Sequence, residues 1–175
     1  MLDLLQPENE MFQWKDLHNV KESRSNLGEK IPVIVYRLFQ YTLKDSMLSE
    51  LGKEKTLVIL RKAGFLAGTE FAKNNLNITA GMDEFVSELQ EKLEEFEIGI
   101  LRIESADQET GKFVITIAED ADCSGLPMSG QTVCHYDEGF LSGILSLYTD
   151  KIYDFIEVDC WATGATVCRF EGNVK

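Results

Sequence analysis

The chain has 175 residues, 44% of them apolar, which is enough to bury a core within one domain. Thirty acids against 17 bases give a formal charge of −13, which argues against direct contact with nucleic acid because phosphate neutralisation needs clustered Lys and Arg. No apolar run approaches the roughly 20 residues of a membrane span, and the acidic N-terminus MLDLLQPENEMFQW has no basic n-region. No signal peptide and a cytoplasmic address are therefore expected.

Residues 1–28 read as an arm punctuated by Pro7, Asn9, Asn19, Ser23, Ser25, Asn26 and Gly28, with Met11, Phe12, Trp14 and Leu17 as anchors. Residues 29–175 form the domain proper. A helix is expected over 31–51, with Pro32 in its first turn and Gly52 closing it. Val35, Leu38, Phe39, Thr42, Leu43 and Met47 recur at helical spacing, and Ile34, Tyr41 and Leu48 carry the apolar surface most of the way round. Burial on more than one side follows, and with it a homodimer. A second helix covers about 54–74. Its Gly64 and Gly68 lie on one face and together cost about 2 kcal/mol of helix propensity, which close approach of another helix or of a ligand would offset. A third helix spans about 82–96, with Phe85, Val86, Leu89, Leu93 and Phe96 apolar.

The pattern then changes period. Residues 98–105 and 112–119 flank a turn at 107–111 and read as a hairpin. DADCSGLPMSGQ, 120–131, is a loop. A helix over 136–149 begins with Asp137 and Glu138, a strand over 151–160 follows, and WATGAT turns into a last strand, TVCRFEG. The fold class is α+β: N-terminal helices packed on a mainly antiparallel sheet of about four or five strands, in a single domain.

Four cysteines stand at 123, 134, 160 and 168, and none precedes them. In a reducing compartment metal ligation, redox chemistry and plain burial compete for such a cluster ahead of disulfides. Cys160 and Cys168 each lie four residues from Gly164, so a hairpin centred there sets them opposite each other with Cβ atoms about 5 Å apart. Thiolates about 3.7 Å apart around a tetrahedral ion fit that geometry. Cys134 enters the helix of 136–149, where the helix N-terminus favours a thiolate. Cys123, Glu157, Asp159 and His135 are candidates for a fourth ligand.

CHYDEGFLSGIL and EVDCWATGATVCRFEG resemble the C-terminal signature of the 4-vinyl reductase (4VR) domain family, and NLGEKIPVIVYRLFQYTL and LRKAGFLAGTEFA resemble its N-terminal helices. The resemblance covers about 26–171. Members include the sensor domains of phenol-responsive transcription activators, where three cysteines and a glutamate hold zinc. The spacings of that set, 26 and 8 between cysteines and 3 from glutamate to the middle cysteine, are met here by Cys134, Glu157, Cys160 and Cys168, with Cys123 as the alternative ligand. Residues three apart on a regular strand face opposite ways, so Glu157 can join Cys160 only where the strand bulges.

The resemblance implies a domain that binds or senses a small, hydrophobic molecule, carries a structural zinc and acts through a separate signalling partner. Phe65, Phe71, Phe85, Phe96, Phe113, Tyr136, Phe140 and Trp161 are candidate walls for the ligand. The family's phenol contacts come from a His and a Trp ahead of the first cysteine. His18, His135, Trp14 and Trp161 do not occupy those places, so phenol specificity does not carry over. The alternative is an enzyme or enzyme subunit, reductase-like or built on a redox-active metal, haem or corrinoid. The sequence carries no dinucleotide fingerprint or defensible catalytic triad to support it.

Overall fold

A computed structural model describes residues 12–17, 19–107 and 109–175. The expectations placed on Pro7, Asn9, Met11 and His18 lie outside them. The chain divides into two units, Met1–Lys30 and Ile31–Lys175. The first contains a 3-10 turn, Trp14–Leu17, and a single helical turn, α1 (Val20–Ser23), neither of which buries a residue.

The second unit is α+β. Its helices are α2 (Val33–Leu51), α3 (Lys53–Asn75), α4 (Met82–Glu95) and α5 (His135–Thr149). Its strands are β1 (Ile100–Asp107), β2 (Lys112–Ala118), β3 (Tyr153–Asp159) and β4 (Cys168–Val174). They form one antiparallel sheet in the order β1-β2-β4-β3, so the two hairpins meet at β2 and β4, and α5 links them. The alternation in β2 buries Phe113, Ile115 and Ile117, while α4 contributes Phe85, Leu89 and Leu93 to the core.

Two features position α5. The first is backbone-to-backbone packing on α3. A Cβ added at Gly64 would fall on the carbonyl oxygen of Tyr136, one at Gly68 on that of Phe140, one at Gly139 on that of Arg61 and one at Gly143 on that of Phe65. Glycines spaced by four on both helices leave each backbone in contact with the other. The approach that offsets the propensity cost at Gly64 and Gly68 is therefore that of a helix.

The second is a ladder of side chains to edge strand β3. Tyr153 N–H donates to Ser146 Oγ (2.8 Å), Phe155 N–H to Ser142 Oγ (3.0 Å) and Glu157 N–H to Glu138 Oε1 (3.0 Å). Two residues of strand advance about 6.7 Å and four residues of helix about 6 Å, so the two periods stay in step over three rungs. The ladder satisfies an otherwise bare sheet edge.

α2 differs from the sequence reading in one respect: it buries no residue within the chain. Ile34, Leu38 and Phe39 are 72%, 66% and 67% exposed. Its polar side chains instead grip the loop after β2. Tyr36 Oη donates to Asp122 Oδ1 (2.6 Å), Gln40 Nε2 to Asp122 Oδ2 (2.5 Å), Arg37 Nε to the Ala121 carbonyl (2.6 Å) and Lys44 Nζ to the Val133 carbonyl (3.2 Å).

Candidate metal centre

Four separate pieces of backbone deliver the cysteines. Cys123 sits in the turn after β2, where Asp120 Oδ1 accepts from the amides of Asp122 (2.7 Å) and Cys123 (3.2 Å). Cys134 caps the start of α5, Cys160 follows β3 directly, and Cys168 opens β4. The pairing of β3 with β4 shifts between Glu157 and Asp159. This bulge leaves Val158 and Asp159 outside and turns both Glu157 and Cys160 inward. Beyond it Asp159 faces Arg169, a register that carries Cys160 opposite Cys168.

All four thiols are free, buried and mutually close, with every sulfur within 4.8 Å of the others. Cys134 Sγ lies 3.9 Å from Cys160 Sγ and 3.8 Å from Cys168 Sγ, and Cys123 Sγ lies 3.0 Å from Cys168 Sγ. Around one ion with metal–sulfur bonds of about 2.3 Å, tetrahedral sulfurs stand about 3.7 Å apart. The donor set therefore fits a metal, and Cys123 completes it. Contacts with neighbouring sulfurs, that of Cys123 first, together with burial, hold Cys134 and Cys168 protonated, while the same neighbours favour the thiolate at Cys160. A cation replacing the shared protons would satisfy all four at once.

Glu157 is present at the site but engaged differently. Its Oε2 accepts from the amides of Val133 (3.0 Å) and Cys134 (2.9 Å), while its Oε1 is buried without a partner. Burial pushes its carboxyl up to about 8. His135 and Asp159, the remaining candidates, turn elsewhere: His135 Nδ1 lies 3.2 Å from Glu138 Oε2, and Asp159 pairs with Arg169 at 3.2 Å. Glu138 also receives Arg61 Nε at 2.5 Å.

A buried acidic shell surrounds the sulfurs. Burial and the neighbouring Asp122 push Asp120 up to about 7. Burial, with Asp122 and Asp120, raises Asp137 well above the usual carboxylate range, and Asp137 Oδ2 has no hydrogen-bond partner. The sequence reading missed Asp120 and Asp122 as site residues. The only signal was the acidic run EDADC, which reads equally well as a solvated loop.

The candidate ligand walls scatter. Phe71, Phe85, Phe113 and Phe140 are buried, whereas Phe65, Phe96 and Trp161 are more than a third exposed. Phe71 meets Phe96 and Phe140, and Tyr136 stacks on Phe140. Of the eight, Phe113 lines a cavity of about 350 Å³, together with Ile78, Ala80, Met82, Tyr148 and Tyr153. That cavity lies at the far end of β2 from Ile117, which pairs with Cys168.

Comparison with known proteins agrees with this architecture. Residues 113–174 match the 4VR domain family. Over 145 residues the chain is 29% identical to the uncharacterized protein MJ1642 of Methanocaldococcus jannaschii, covering 83% of this chain and 79% of that one. The fold is similar to that of a vinyl-4-reductase family protein from Methanocaldococcus jannaschii, with TM-score 0.60, 18% identity and 85% of each chain covered. It is also similar to the phenol-responsive sensory domain of the transcription activator PoxR with phenol, with TM-score 0.60, 13% identity, and 82% of this chain and 75% of that one covered. The chain thus carries a 4VR domain on a fold shared with ligand-sensing domains. No helix among the described residues is long and apolar enough to cross a membrane.

Proposed function

We propose that the protein is a 4VR-type sensing domain for a small hydrophobic molecule, in which one zinc ion held by Cys123, Cys134, Cys160 and Cys168 fixes the end of the sheet. The observation that carries this reading is the convergence of four buried sulfurs from four separate backbone segments. A closed tetrathiolate has no position for substrate, so its role is structural. It ties the loop after β2, the start of α5 and the β3–β4 connection to one point. Glu157 serves this arrangement by holding the amide of Cys134, as outer-shell groups orient metal ligands.

The ligand belongs in the cavity beside Phe113. Its volume is near the lower end for small-molecule pockets, and its aromatic and aliphatic walls suit a small apolar compound. The exposed apolar side of α2 is the surface for a second copy of the chain, and the signal passes to a separate protein. The acidic balance of the chain fits a role without direct nucleic-acid contact.

The reading is tested by purifying the protein from its source host and recording native mass spectra. A zinc ion and an apolar small molecule retained by the folded chain support it. Substituting Phe113→Trp, which fills the cavity, then displaces the organic molecule and leaves the zinc. Protein that carries neither contradicts it. Leu38→Glu on the outer side of α2 shifts the sedimentation of the dimer to that of the monomer.

A further inference from the structure

A second set of donors adjoins the four sulfurs. Asp120, Asp137 and Cys134 bring two carboxylate oxygens and one sulfur within 4.8 Å of one another. All three residues are at most 7% exposed. Asp120 spends Oδ1 on two amides of its own turn. Asp137 Oδ2 is enclosed and has no hydrogen-bond partner, a position that a buried carboxylate oxygen holds at a cost unless a cation or proton meets it. The nearby basic side chains are engaged elsewhere. Arg37 donates to the carbonyls of Ala121 and Asp120, Lys44 to that of Val133, and Arg61 to Glu138. A divalent ion in four thiolates remains dianionic, so its own charge does not balance the acids around it.

We infer that a second divalent cation binds beside the first, held by Asp120, Asp137 and the sulfur of Cys134, which bridges the two ions. A mixed oxygen–sulfur set suits a borderline transition ion such as zinc or cobalt(II). Calcium and magnesium take oxygen shells. Three protein donors leave one coordination position open, unlike the closed set of four cysteines. The inference rests on the four-cysteine reading, since Cys134 belongs to both sets.

The test reloads the metal-free full chain with zinc, removes free metal by desalting and counts ions per chain, with circular dichroism to verify folding. The wild type retains two ions, while Asp137→Asn and Asp120→Asn, which keep side-chain shape and remove the charge, retain one. Should one variant fail to fold, the other decides. Repeating the titration with cobalt(II) adds a second increment of thiolate-to-metal absorption in the wild type and none in the variants. One ion in the wild type, unchanged by either substitution, overturns the second site and leaves the first intact. Two ions in all three proteins place the second ion elsewhere and also overturn it. No bound zinc in any of them overturns both sites.

Discussion

Cys123 Sγ lies 3.0 Å from Cys168 Sγ across 45 residues of sequence. The family spacing gave no reason to join these two, yet Cys123 closes the set of four sulfurs while Glu157 spends one oxygen on backbone amides. The two fourth-ligand candidates therefore separate by mutation. Glu157→Gln loses an outer-shell contact and weakens zinc binding by about 10-fold, whereas Cys123→Ser loses a ligand and weakens it by more than about 100-fold. Competition with a chromophoric chelator measures both, and the reverse order would make Glu157 the ligand.

The glycine contacts between α3 and α5 predict a steep local cost. Gly139→Ala places a methyl on the Arg61 carbonyl, where only a backbone shift makes room. Destabilisation of about 3 kcal/mol or more is expected, at or above the upper range for overpacking. Gly81→Ala, where an added Cβ meets nothing within 4 Å, changes stability by less than about 1 kcal/mol. Urea unfolding of the two variants makes the comparison.

The ladder from α5 to β3 predicts a local opening. Ser142→Ala removes the acceptor for the Phe155 amide and leaves a buried N–H bare, which costs about 1–3 kcal/mol. Hydrogen exchange at Phe155 quickens by a corresponding factor, and an unchanged rate would mean that the strand edge holds without α5.

Tyr36 predicts an alkaline limb. Burial, then the charge and hydrogen bond of Asp122, raise its hydroxyl well above the ordinary tyrosine value. A group whose folded value is raised contributes stability that is whole below its unfolded value and is lost as pH rises through the folded one. Stability conferred by Tyr36 is thus intact up to pH about 10 and declines above it. Tyr36→Phe lowers stability at neutral pH by about 1–3 kcal/mol and flattens that alkaline decline. Thermal melts between neutral and strongly alkaline pH check both effects.

The sequence made the elements and three members of the cluster legible for identifiable reasons. Helical and alternating periods mark core faces directly, as in α4 with Phe85, Leu89 and Leu93 and in β2 with Phe113, Ile115 and Ile117. Symmetry about Gly164 anticipated Cys160 and Cys168, because a hairpin is a local structure. The bulge at 157–159 was a stated condition rather than a reading, since no residue there forces it. Cys123 stood outside the spacing because its loop reaches the site through tertiary contacts with Tyr36, Arg37 and Gln40. Those polar residues lie on a helix whose apolar surface had pointed to burial, and helical period alone says nothing of what a polar side chain grips.

The central claim is that the four cysteines hold metal. Titrating the native protein with an organomercurial in the presence of a metal-sensitive dye tests it most directly, because thiols consumed and ions released are read together. The account predicts at least one zinc ion per chain, set free in step with the modification of four thiols. Four thiols consumed with no metal released would contradict it.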